Sequence, residues 1–181
     1  MKTYLKSALF LFLTVVVLLP SLQAAEPKFS VLARSSSAPE GSLPTVLIQG
    51  RDGNLYGITD RGGSWGQGTV FKLTPAGERT IVVSFKNEET GGFPVGLVEG
   101  TDGNFYGATR LNTNLDGGSI FKLTPDGVIT TLASFHGYDQ IYQNIILGED
   151  GALYGTTGKG VSFKVTTAGV LTTGVPPHLP A

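Results

Sequence analysis

The chain has 181 residues, with 13 lysines and arginines against 14 aspartates and glutamates, so its net charge is -1 and no basic surplus favours nucleic acid. It has no cysteine and only two histidines, which removes disulfide scaffolds and leaves little for a histidine metal site or a histidine-activated nucleophile. Glycine, at 26 residues, is the informative count, because it marks the turns that divide the chain.

At the N-terminus, Lys2 and Lys6 precede an apolar run from Ala8 to Leu19, and Pro20 leads into the small residues Ala24 and Ala25. This is the layout of a secretory signal peptide, and the run is too short to cross a bilayer comfortably. Residues 1–25 are therefore expected to be removed, with cleavage after Ala24 or Ala25, and a retained N-terminal anchor is the alternative. The mature chain is expected to be exported, whether extracellular, periplasmic or at the cell surface, and to contain no membrane span. Export without cysteine fits a bacterial source. Losing Lys2 and Lys6 leaves eleven basic against fourteen acidic residues, and about 155 residues suffice for one domain with a core.

Beyond this leader the chain repeats itself. Asp52, Asp102 and Asp150 each have a glycine two places earlier (Gly50, Gly100, Gly148) and an aliphatic residue five places earlier (Leu47, Leu97, Ile145). Each is followed by glycine and then by Tyr56, Tyr106 or Tyr154. Downstream, the block from Phe71 to Gly77 recurs at Phe121 to Gly127 and, less closely, at Phe163 to Gly169. A fixed period implies one supersecondary unit stacked on copies of itself.

In the first copy, Thr45 to Gly50 reads as a strand joined by Asp52-Gly53 to a second, Asn54 to Thr59, an Asp-Gly pair between apolar runs being a strong hairpin signal. A third strand, Thr69 to Thr74, alternates Phe71 and Leu73 on one face. It turns at Pro75 to Gly77 into a fourth, Arg79 to Phe85. No amphipathic helix is expected. Lys28 to Arg34 resembles a fourth strand whose first three are missing, Val170 to Val175 is a weak final strand, and 176–181 reads as a tail. The expected repeat domain runs over 28–175, with repeats near 44–93, 94–141 and 142–175.

Four strands in about fifty residues match a propeller blade. The fold class is thus all-β, a propeller-like array of about three four-stranded antiparallel blades. Three is fewer than the four to eight that usually close a ring. The chain is then half of a dimeric six-bladed ring, a shortened array or an open fan. The homodimer is favoured, because an open fan exposes two apolar faces.

These blocks, from Asp52-Gly53-Asn54-Leu55-Tyr56-Gly57 through Phe71 to Gly77 and Ile81 to Phe85, closely resemble the choice-of-anchor tandem repeat GloVer-type (Gloeo/Verruco repeat) proteins. More loosely, the Asp-Gly-Asn hairpins resemble those of streptogramin-lyase-like and NHL propellers. The resemblance implies a propeller-like fold and export, and it implies no chemistry. Compared with that family, the chain is expected to be short and without the C-terminal anchoring segment often seen there.

Residues that recur in register are expected to serve the fold: the three tyrosines and Phe71, Phe121 and Phe163 packing between blades, and the three aspartates making turns. Calcium is the sharper reading for the aspartates, but each copy offers one carboxylate, whereas a hard cation wants several oxygens. No metal or cofactor is expected.

Function should lie where the copies differ, in the loops between second and third strands and in the linkers between blades, because binding residues concentrate on loops held by a rigid scaffold. The candidate ligand-binding residues are Arg61, Trp65, Arg110, Asn112, Asp116, His136, Tyr138, Asp139 and Tyr142. Trp65, the only tryptophan, suits stacking on a sugar ring or a peptide aromatic. Gly62 to Gly66 matches the Gly-x-Ser-x-Gly pattern of serine hydrolases, but no helix follows Ser64 and the second copy has no equivalent serine. The leading expectation is an exported binding module for a glycan, peptide or protein. The alternatives are a lyase or hydrolase using His136, helped by Arg110, Asp116 or Asp139, and a structural fragment of a longer array.

Overall fold

The computed structural model describes residues 41–137 and 139–174. The expected signal peptide, the strand-like Lys28 to Arg34, Tyr138 and the tail at 176–181 lie outside those residues.

Among the described residues there are three antiparallel sheets, each of four strands in chain order. The first blade comprises β1 (Ser42–Gln49), β2 (Leu55–Arg61), β3 (Thr69–Leu73) and β4 (Arg79–Ser84). The second comprises β5 (Gly92–Glu99), β6 (Phe105–Asn112), β7 (Gly117–Leu123) and β8 (Ile129–Ser134). The third, with shorter strands, comprises β9 (Ile146–Leu147), β10 (Leu153–Thr156), β11 (Ser162–Val165) and β12 (Leu171–Thr173).

Two local details were not read from the sequence. A single helical turn, α1 (Asn87–Thr90), stands in the first linker. It is too short for an amphipathic period, and Glu88 and Glu89 suit the positive end of its dipole. The second long loop is also largely absent: β6 and β7 run longer than β2 and β3 and pair Asn112 with Gly117, leaving a tight turn with Asp116 at φ 53.

Register explains the repeated residues. Asp52 Oδ1 accepts the Asn54 backbone N–H at 3.0 Å, closing the first hairpin, and Asp102 and Asp150 do the same for Asn104 and Ala152. Gly53, at φ 80, supplies the left-handed residue that this turn requires. Across each second and third strand, tyrosine lies opposite lysine: Tyr56 and Lys72, Tyr106 and Lys122, Tyr154 and Lys164. The tyrosine hydroxyl donates to the hairpin aspartate at 2.8–2.9 Å, and the lysine ammonium pairs with the same carboxylate at 2.7–3.4 Å. One residue along, Gly57, Gly107 and Gly155 face Phe71, Phe121 and Phe163; a Cβ on any of these glycines would strike the ring.

The core sits between consecutive blades. Tyr56, Ile58, Val70 and Phe85 of the first blade pack on Leu97, Phe105, Phe121 and Leu123 of the second. Tyr106, Ala108, Ile120 and Phe135 then pack on Ile145, Leu153, Phe163 and Val165 of the third. Ring pairs lie at the centre of both interfaces: Tyr56 on Phe105 at 4.2 Å, Phe85 on Phe121 at 5.2 Å and Phe135 on Phe163 at 4.9 Å. Each fully buried phenylalanine contributes about 1.5–3 kcal/mol.

Candidate ligand-binding face

The β2–β3 loop, the first linker and the β6–β7 turn come together beside the junction of blades one and two. The loop folds back on itself through a bridge between Gly62 and Gln67 and a 3.0 Å bond from Gly68 N to Gly62 O. Trp65 stands at its tip with 57% of its surface exposed, and the Lys86 ammonium lies 5.0 Å from the indole centre. Glu89, hydrogen-bonded to Lys86, holds that ammonium above its ordinary pKa.

Asn87, in α1, staples the three segments. Its backbone N–H donates to Gln67 Oε1, and its own Oδ1 accepts the Thr113 N–H at 3.0 Å. Asn114 adds a bond from Nδ2 to the Glu88 carbonyl at 2.8 Å. The result is a cleft of about 350 Å³ lined by Trp65, Gln67, Lys86, Asn87, Glu88 and Thr113. Because the amide oxygens of Gln67 and Asn87 make these staples, their NH2 groups are left without a protein partner among the described residues.

Beside the cleft, the Phe93 N–H donates to the Gln67 carbonyl at 2.8 Å, which places the Phe93 ring under two guanidiniums. Arg110 lies 5.0 Å and Arg61 5.9 Å from its centre. Arg110 also crosses between blades to pair with Asp60 at 2.7 Å, and Arg61 meets the same carboxylate at 3.5 Å.

The candidate residues therefore fall into separate places. Trp65 lines the cleft, and Arg61 and Arg110 share Phe93. Asn112 is buried, its amide oxygen accepting the Asn114 N–H, while Asp116 is exposed at the turn. His136, Asp139 and Tyr142 belong to the second linker, and no hydrogen bond, ion pair or ring contact joins them to the cleft among the described residues. His136 is exposed, Tyr142 lies over Gly158 with its hydroxyl on Gln140, and Asp139 has one buried carboxylate oxygen without a partner. Tyr138 is outside the described residues. Ser64 sits in a turn followed by β3, not by the helix that a nucleophile elbow needs.

Sequence reasoning missed Asp60, Gln67, Lys86, Asn87 and Phe93. For Asp60 there was a signal: Asp60 and Arg110 occupy the same repeat position in adjacent copies with opposite charge, a pairing that stacked blades bring together. Asn87 had none, because its role depends on a helical turn that the linker composition does not announce.

The model of the Gloeobacter/Verrucomicrobia repeat matches residues 18–170. The chain belongs to this repeat family. No curated protein matches it. Among solved structures, this repeat protein is similar to a streptogramin B lyase, with 26% identity and a TM-score of 0.54 over 74% of this chain and 41% of that one. A gluconolactonase from Xanthomonas campestris matches at 18% identity and TM-score 0.54, over 74% of this chain and 46% of its own. The aldose sugar dehydrogenase from Streptomyces coelicolor, solved with bound PQQ, matches at 15% and 0.53, over 81% and 50%. The repeat protein thus has a β-propeller-type fold and spans half or less of the length of these structures.

Proposed function

We propose that this repeat protein is exported and acts as a binding module at the cell surface or outside the cell, with a glycan as the ligand of the Trp65 cleft. The carrying observation is the cleft itself: an exposed indole beside two amide NH2 groups without protein partners among the described residues, bordered by Lys86, Glu88 and the Thr113 segment. A sugar ring offers an apolar face for the indole and hydroxyls that both donate and accept, which matches this mixture of groups. A volume of about 350 Å³ lies at the small end of ligand pockets and suits one or two rings. Export is supported by the leader pattern at Lys2, Lys6 and Ala8 to Leu19.

Trp65 is the only tryptophan, so its fluorescence reports the site directly. Titration with a panel of short oligosaccharides should shift the emission saturably, Trp65→Ala should lose capture on an immobilised glycan, and His136→Ala should retain it. If no oligosaccharide perturbs the emission and glycan capture survives Trp65→Ala, the reading fails. Substrate turnover abolished by His136→Ala would favour the lyase alternative.

A further inference from the structure

Two guanidiniums and one carboxylate gather around the Phe93 ring at the junction of blades one and two. Arg110 donates from Nη2 to Asp60 Oδ1 at 2.7 Å, and Arg61 Nε lies 3.5 Å from Asp60 Oδ2. Asp60 thus offsets one of two positive charges, and among the described residues neither arginine has another acidic partner. Lys86, at the cleft, is by contrast matched by Glu89. The surplus charge is also accessible, because the Arg61 side chain is 63% exposed, against 31% for Arg110 and 16% for Asp60. The Arg61 guanidinium makes no hydrogen bond among the described residues, so its two terminal NH2 groups are open to the paired bonds that a carboxylate accepts.

The repeat does not require this arrangement. Asp60 and Arg61 stand four and five residues after the repeated tyrosine, where the second copy has Arg110 and Leu111 and the third has Gly158 and Lys159. Phe93 likewise occupies the place of Leu43 in the first blade, both with left-handed φ ahead of a proline. The bond from Arg110 to Asp60 ties the two blades without help from Arg61 or from a ring. What the Phe93 ring adds is position. Guanidiniums 5.0 and 5.9 Å from its centre are attracted to its π-system and have less freedom left to lose on binding.

The pair adjoins the Trp65 cleft. Gln67, whose side chain lines the cleft, bridges through its backbone to Gly62, the residue after Arg61, and its carbonyl accepts the Phe93 N–H at 2.8 Å. Gly92, the residue before Phe93, lies against the Asn87 and Gln67 side chains of the cleft wall. We propose that Arg61 and Arg110 form a subsite for a carboxylate of the sugar held in the cleft, so that the ligand is a uronate-bearing glycan. This rests on the glycan reading of the cleft and narrows it. The indole takes the apolar face of a sugar ring, and the planar guanidinium of Arg61 takes the acid group through two parallel N–H···O bonds, with Arg110 adding charge from its place on Asp60.

Trp65 emission provides the assay, with short oligouronides each titrated beside the same oligosaccharide as its methyl ester. The acid should bind about tenfold more tightly than the ester, the effect of one charge-assisted contact at an exposed site. Arg61→Ala should bring the two affinities within about twofold of each other, with Tm within about 2 °C of the parent because the side chain is exposed. Arg61→Lys should keep a preference of about threefold, since an ammonium retains the charge without the fork. Equal affinities of acid and ester in the parent, or a preference that survives Arg61→Ala, would overturn the subsite and leave the glycan reading standing. A sulfated oligosaccharide that binds more tightly than the uronide would overturn the carboxylate assignment. If acid, ester and neutral oligosaccharides all leave the emission unchanged, the glycan reading falls and this subsite falls with it.

Discussion

Replacing Asp102 with alanine tests the repeated aspartate, tyrosine and lysine unit at the blade where it is most enclosed. Asp102 accepts the Asn104 N–H at 3.2 Å, the Asn104 side-chain amide at 2.7 Å and the Tyr106 hydroxyl at 2.8 Å, and pairs with Lys122 at 3.3 Å. Burial alone would raise its pKa, but the bonds from Asn104, Tyr106 and Lys122 outweigh that and hold the carboxyl well below the ordinary range. Water can replace the partners of half-exposed Asn104 and Lys122 at little cost. Tyr106 is fully buried as a residue, so its hydroxyl is the group left wanting. A hydrogen bond to a charged partner is worth about 1.5–3 kcal/mol, discounted here because the Asp102 side chain is 41% exposed. With the lost turn bond, Asp102→Ala should cost about 2 kcal/mol, or roughly 6–8 °C in Tm. Urea unfolding of Asp102→Ala, Tyr106→Phe and the double variant forms a cycle whose coupling should be about 1 kcal/mol. A loss below about 0.5 kcal/mol for Asp102→Ala, or no coupling, would refute the assignment of stability to this unit.

Further outcomes follow from the same geometry. Bonds from Asn54 and from Lys164 lower Asp52 and Asp150 from 3.8 to about 2, so the stability these carboxylates add is complete above pH 3.8 and should fall as pH drops toward 2, seen as an acid limb in Tm against pH. Desolvation, with the neighbouring aspartate second, raises Tyr56 and Tyr106 from 10.0 to about 12; their contribution is complete below pH 10 and should be lost as pH rises through 12, which ultraviolet titration of tyrosinate would show. Gly107→Ala drives a methyl into the Phe121 ring and should destabilise by about 1–3 kcal/mol in urea, whereas Gly103→Ala, with open space but φ 77, should cost about 1 kcal/mol through the backbone alone. Asn87→Ala removes the staple to Thr113 and should cost about 1 kcal/mol while shifting the emission of Trp65, whose cleft it lines.

Much of the architecture was legible because its determinants are short in sequence range. The Asp-Gly turns, the alternation through Phe71 and Leu73, and the period linking Tyr56, Tyr106 and Tyr154 specify hairpins and four-stranded units without reference to distant residues. Of the repeated aromatic residues expected between blades, Tyr56, Tyr106, Phe121 and Phe163 pack there, whereas Phe71 and Tyr154 join neither interblade cluster. The cleft was less legible. Trp65 stood out by being unique, but Gln67, Asn87 and Thr113 meet only after two loops and a linker fold together, and Asn112 turns inward because β6 runs longer than its copy in the first blade.

By itself, then, the sequence determined the repeat, the strand content, the hairpin chemistry and which residues serve the blades, because hydrophobic period and turn residues act over a few positions. Only the tertiary structure decided that Arg110 reaches Asp60 across a blade boundary and that Asn87 orients the wall of the Trp65 cleft. These outcomes depend on which copy stands next to which. Leu47, Leu97 and Ile145 look equivalent in the sequence, and their burial differs because, among the described residues, a preceding blade packs against Leu97 and Ile145 and none packs against Leu47.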